Sequence, residues 1–137
     1  MKSESSLKVF VYGTLKPGEA NFSAYCNGYV EFQQKAYTKG VLYDLPFGYP
    51  AMTEGENKIA GVLLIFNDDR ILNNLDRLEG YQSELPDDSN EYYRRLVPVY
   101  NLSEQFIAHA WTYFMTPQKV QRYGGKRVQS NFWTGKR

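Results

Sequence analysis

The side chains that most often carry enzyme chemistry are scarce in this chain: among 137 residues there is one cysteine, Cys26, and one histidine, His109. A lone cysteine cannot close an internal disulfide, so nothing points to an oxidising compartment. No Cys/His spacing offers a metal-ligand set. Long hydrophobic runs are missing too, and no stretch approaches the roughly 18–20 apolar residues that cross a bilayer. Residues 1–6 are polar and lack the apolar core of a secretory signal. Charge of one sign is also absent, since a formal net charge of +1 leaves no whole-molecule field for nucleic acid or anionic lipid. Near the C-terminus Lys126, Arg127, Lys136 and Arg137 alternate with polar residues and Gly, the pattern of a solvated tail. The expectation is a cytoplasmic protein without metal, cofactor, nucleic-acid partner or membrane contact. Its oligomeric state is left open.

Aromatic residues, by contrast, are abundant: 12 Tyr and 8 Phe. Tyrosine joins an apolar ring to a polar tip and suits strands that line a half-wet pocket, although good strand-forming propensity accounts for many of them. The length fits one domain over residues 1–137, with 1–6 and about 124–137 as flexible tails.

Residues 7–12 are β-branched and aromatic and stop at Gly13, which reads as a buried strand. Lys16, Pro17 and Gly18 force a turn, after which Asn21 can cap a short helix through Phe22, Ala24 and Tyr25. Residues 29–43 hold strand-like pieces, residues 45–50 form a loop dense in turn formers, and residues 58–66 make the most apolar strand candidate. Asp68 or Asp69 can cap the best helix, which carries Ile71, Leu72, Leu75 and Leu78 at helical spacing and ends at Gly80. Residues 82–90 are polar and predict an exposed connection. Strands over 92–100 and 106–115 follow, with Pro98 placing the first at an edge or a bulge, and Thr116-Pro117 opens a last short helix. Consecutive strands without crossover helices predict an α+β fold: a mixed, curled β-sheet or small β-barrel with a few short helices.

The strongest local signal is Tyr12-Gly13-Thr14-Leu15-Lys16-Pro17-Gly18. A buried strand that ends in Gly and small polar residues can turn successive N–H groups into one space, a cradle for a carboxylate or phosphate. A plain strand–turn fits the residues as well. The Lys-Ser/Thr of a phosphate loop and the glycine spacing of a dinucleotide fingerprint are both missing, which counts against nucleotides.

This loop, with Asn21 three residues on, resembles the signature of the γ-glutamylcyclotransferase and AIG2-like family. Gly40-Val41-Leu42-Tyr43-Asp44-Leu45 before Tyr49-Pro50-Ala51, then Gly61-Val62-Leu63, are similar to its next blocks. Leu75-Asp76-Arg77-Leu78-Glu79-Gly80-Tyr81 resembles the block that carries the family's acid, and Tyr92-Tyr93-Arg94 and Ala110-Trp111-Thr112-Tyr113 its later strands. The ordered set runs from about Val9 to Met115 and is specific, although each block alone is weak. The resemblance implies an enzyme in which the α-amine of a small γ-glutamyl substrate attacks its own γ-amide carbonyl, releasing 5-oxoproline and an amine or amino acid. It further implies Glu79 as the acid–base residue and Tyr12, Gly13, Thr14 and Leu15 as the substrate-binding loop. The loop's Tyr-Gly-Thr-Leu-Lys form leans towards the γ-glutamylamine branch.

Glu79 falls at a helix end, where carbonyl dipoles and partial burial both push a carboxyl's pKa upwards. Arg94 and Tyr113 could border the pocket or make structural hydrogen bonds. Asp76 reads as a helix-surface or framing residue, His109 as a surface or pocket-rim residue, and Cys26 as a small buried hydrophobe. The leaving group would be selected by walls from residues 46–50 and 82–90. The alternative from another class is an inactive AIG2-like domain that binds a small anion or serves in a stress response, without turnover.

Overall fold

The computed structural model describes residues 7–135. The first strand, β1, is Leu7–Val11, and the short helix α1 is Phe22–Tyr25. A long hairpin follows, β2 over Val30–Asp44 and β3 over Pro50–Phe66, paired antiparallel along nearly its whole length. Helix α2 spans Ile71–Glu79, strands β4 and β5 span Tyr93–Tyr100 and Phe106–Phe114, α3 spans Pro117–Arg122, and β6 is Lys126–Arg127.

The strand order is β3-β1-β5-β4-β2-β6, and β2 also pairs with β3, so the chain of pairings closes into a ring of five strands with β6 appended. The β1–β5 pair is parallel, through Val9 and Trp111, and the others are antiparallel. This is the mixed, curled sheet expected from consecutive strands. The ring is thinnest between β2 and β4, joined by the single pairing of Tyr37 with Tyr100. Pro98 lies on β4 beside that seam, opposite His109, and a bulge follows between Val99 and Tyr100. A residue without an N–H costs little where the strand's other edge is scarcely paired.

Side-chain alternation sorts the core into two parts. Phe10 and Tyr12 join Ala36, Leu42, Met52, Leu63, Val99 and Phe114 in a cluster drawn from all five ring strands. Val9 and Val11 point the other way and pack with Leu64, Ile71, Leu75, Tyr92 and Met115, under α2. The helix thus covers one side of β1, and its last residue falls near the loop where β1 ends.

Several local expectations need correction. Asn21 precedes α1 but does not cap it with its side chain; its amide donates to Thr14 Oγ1 instead, at 2.9 Å. Asp68 accepts from the Arg70 N–H at 2.9 Å and so starts the turn that leads into α2, although the residue next to the helix is Arg70. The loose tail from about residue 124 is not what the described residues adopt. Lys126 and Arg127 pair with β2 as β6, exposed as expected, and Trp133 is buried with its Nε1 donating to Asp44 at 2.9 Å. An indole in the last residues supplies enough apolar surface to anchor a segment that composition marks as solvated. The expectations for residues 1–6, Lys136 and Arg137 lie outside the described residues. Among the described residues no helix is long and apolar enough to cross a membrane.

Candidate active site

The loop after β1 is shaped by close approach. Gly13 is buried, and a Cβ there would lie 2.7 Å from Pro50 Cγ, so the chain passes Pro50 only without a side chain. Lys16 N–H donates to the Gly13 carbonyl at 3.0 Å and Asn21 N–H to the Thr14 carbonyl at 2.8 Å, which folds the loop back on itself. The N–H groups of Gly13, Thr14 and Leu15 donate to no backbone carbonyl among the described residues. All three residues line a cavity of about 240 Å³. Tyr12 lines it too, while its buried phenol donates to the Tyr113 carbonyl at 2.6 Å and ties the loop to β5.

Glu79 lines the same cavity from the end of α2. The helix stops there because Gly80 takes φ +69°, in the left-handed region, and its N–H bonds back to the Arg77 and Asp76 carbonyls. Glu79 makes no side-chain hydrogen bond or ion pair with any described residue. Burial pushes its carboxyl up to about 8, and the nearby carboxylates of Asp76 and Glu91 act in the same direction. Burial and the helix end are both legible in the sequence; burial is the larger cause here, and Asp76 and Glu91 come from the fold.

The remaining residues separate into those that touch the cavity and those that frame it. Tyr113 lines it, and its phenol donates to Asp76 Oδ1 at 2.7 Å. Arg94 does not line it; the guanidinium grips both Asp76 oxygens, at 2.8 and 3.1 Å, and lies over the Trp111 ring at 4.4 Å. Asp76 is therefore a framing residue, held on one side of α2 by β4 and β5. Arg94 and Tyr113 both make structural hydrogen bonds, and only Tyr113 also borders the pocket. His109 is exposed on β5, and Cys26 is fully buried, its thiol pushed up to about 12 by burial.

Of the two walls expected to choose a leaving group, the 46–50 loop contributes Tyr49 and Pro50, whereas residues 82–90 contribute none. That connection acts through Asn90, buried in a mostly exposed stretch, which accepts from Gln82 N–H at 2.8 Å and returns a bond to the Gln82 carbonyl. The clasp delivers the next residue, Glu91, to the cavity, with its N–H on the Gly80 carbonyl at 3.2 Å. Tyr92 follows, lining the cavity while its phenol donates to the Pro50 carbonyl at 2.6 Å. Glu91 escaped the sequence reading because nothing local separates it from the exposed Glu84 and Asp88 upstream.

The model of the family described as "Gamma-glutamyl cyclotransferase, AIG2-like" matches residues 9–135. The chain belongs to this family. No curated protein matches it. Among solved structures, an AIG2-like protein from Mus musculus superposes with a TM-score of 0.69 at 19% identity, covering 95% of this chain and 89% of that one. A protein from Arabidopsis thaliana gives 0.66 at 20% identity, covering 89% and 76%. YkqA from Bacillus subtilis gives 0.64 at 25% identity over 93% of this chain; that protein is longer, and only 39% of it is covered. These likenesses establish the fold. Family membership supports activity of the cyclotransferase type.

Proposed function

We propose that the chain converts γ-glutamyl amides to 5-oxoproline, with Glu79 passing protons from the attacking nitrogen to the leaving one. The observation that carries this reading is a single cavity holding a partly buried carboxyl of raised pKa and a run of N–H groups without backbone acceptors among the described residues.

The N–H groups of Gly13, Thr14 and Leu15 would hold the glutamyl α-carboxylate, as oriented amides hold anions elsewhere. The α-ammonium, on the adjacent carbon, then lies towards Glu79, and its charge draws that carboxyl into the ionised form. Glu79 takes a proton from the ammonium. The freed amine attacks the γ-carbonyl carbon and closes a five-membered ring. As the tetrahedral centre collapses, the bond to the original amide nitrogen breaks and that nitrogen takes the proton held by Glu79. The attacking nitrogen sheds its second proton as it becomes the lactam N–H, and the basic released amine carries that proton away as an ammonium. One C–N bond forms, one breaks, and no water is consumed. The nucleophile belongs to the substrate, so the protein needs only one well-placed acid–base group. Holding the amine against its own carbonyl supplies much of the rate.

The test is incubation with a panel of γ-glutamyl amines and γ-glutamyl amino acids, followed by chromatographic detection of 5-oxoproline. Release of 5-oxoproline with a stoichiometric amine is the expected result. Binding of these compounds without product would instead favour a small-anion binding domain.

A further inference from the structure

Glu91 has no part in the chemistry just described, yet it faces the same cavity. Its Oε1 accepts from the Tyr123 phenol at 2.8 Å, and among the described residues no Lys, Arg or His forms an ion pair with it. Lys119 stands over the Tyr123 ring, 5.9 Å from its centroid, without pairing with Glu91. Around it lies an aromatic rim. Tyr49 lines the cavity, and Phe47, 53% exposed, packs against both Tyr49 and Tyr123 at centroid distances of 5.7 and 5.2 Å. A carboxylate without a counter-ion among the described residues, set in an aromatic rim, is a surface that attracts cations and repels anions.

Position along the cavity identifies which part of a substrate meets this surface. At one end lie Tyr12 and Tyr113, both buried and joined by the Tyr12 phenol on the Tyr113 carbonyl, with the Tyr113 phenol on Asp76, one helical turn before Glu79. At the other, Glu91 sets its N–H on the carbonyl of Gly80, just beyond Glu79, and its carboxylate accepts from the half-buried Tyr123, which packs against the exposed Phe47. Glu79 therefore lies between the inner tyrosines and Glu91, and Phe47 places Glu91's side at the outer surface. With the γ-carbonyl beside Glu79, the substituent on the amide nitrogen extends towards Glu91.

We propose that Glu91 is a specificity-determining residue that selects γ-glutamyl amides whose leaving amine carries a second, cationic nitrogen and rejects those bearing a carboxylate at that place. The inference rests on the cyclotransferase reading of the cavity, and its test separates the two. The probes are the γ-glutamyl amides of butylamine, 1,4-diaminobutane and 4-aminobutanoate, alike in the glutamyl part and differing in the terminal group. Their dissociation constants are measured by calorimetry on the Glu79→Gln protein with and without Glu91→Gln, alongside kcat/KM for 5-oxoproline release by the wild type. A charge-assisted contact predicts the diaminobutane amide binding about tenfold or more tighter than the butylamine amide, with the 4-aminobutanoate amide weakest. Adding Glu91→Gln should bring the first ratio close to one. A ratio near one with Glu91 present, a ratio that Glu91→Gln leaves unchanged, or no binding of any of the three overturns the proposal. Cation preference in binding with no 5-oxoproline from the wild type keeps the role of Glu91 and removes the cyclotransferase reading. Equal kcat/KM for all three amides does the reverse.

Discussion

Glu79 occupies a place where a charge is costly: partly buried, without a hydrogen-bonding side chain among the described residues, and close to Asp76 and Glu91. Its carboxyl is raised from the ordinary 4.5 to about 8, which fixes the sign of two effects. Between these values the unfolded chain releases a proton that the folded one keeps, so this group's contribution to stability is complete below 4.5 and lost as pH rises through 8. Glu79→Gln removes the penalty, and thermal melts should show the variant gaining several degrees over wild type above pH 8 and little at pH 5. The same ionisation should appear as an acid limb in kcat/KM, with rate rising through about pH 8 as the carboxylate forms. Asp76→Asn removes a like charge and loosens Arg94, so the limb should move to lower pH; a limb left in place would show that Asp76 does not act on Glu79.

At the scale of the elements, two glycines let backbone pass where a side chain would not fit. Gly80 ends α2 at positive φ, and a Cβ there would lie 2.9 Å from the Cβ of Glu91. Gly80→Ala should cost about 1–3 kcal/mol in denaturant unfolding, from strain and overpacking combined. Gly13→Ala, pressed on the Pro50 ring, should raise KM more than it lowers kcat, because the loop it displaces binds the proposed substrate's carboxylate throughout the reaction. Both glycines were legible in the sequence, as was the helix between Asp68 and Gly80, since turn chemistry and 3.6-residue spacing are local signals. The length of the β2–β3 hairpin was not, because residues 45–50 read as a loop dense in turn formers, whereas Pro50 already pairs with Asp44 and the ladder is set by the register of the facing strand. Glu91 was hidden for a similar reason: the Asn90 clasp that turns it inward is a contact across eight residues.

For the molecule as a whole, the C-terminal segment braces the site. Lys16, buried at the end of the signature loop, donates to the Trp133 carbonyl and lies 3.8 Å from the Phe132 ring, while the Trp133 indole fills the cluster enclosed by the strand ring. Trp133→Ala should lower unfolding free energy by about 3–5 kcal/mol. The account's central claim is tested most directly by the turnover number for 5-oxoproline release from one reactive γ-glutamyl amine, compared between wild type and Glu79→Gln. Loss of the proton shuttle predicts a fall of about 10²- to 10⁴-fold with substrate binding kept. A Glu79→Gln protein that turns over at close to the wild-type rate would contradict it.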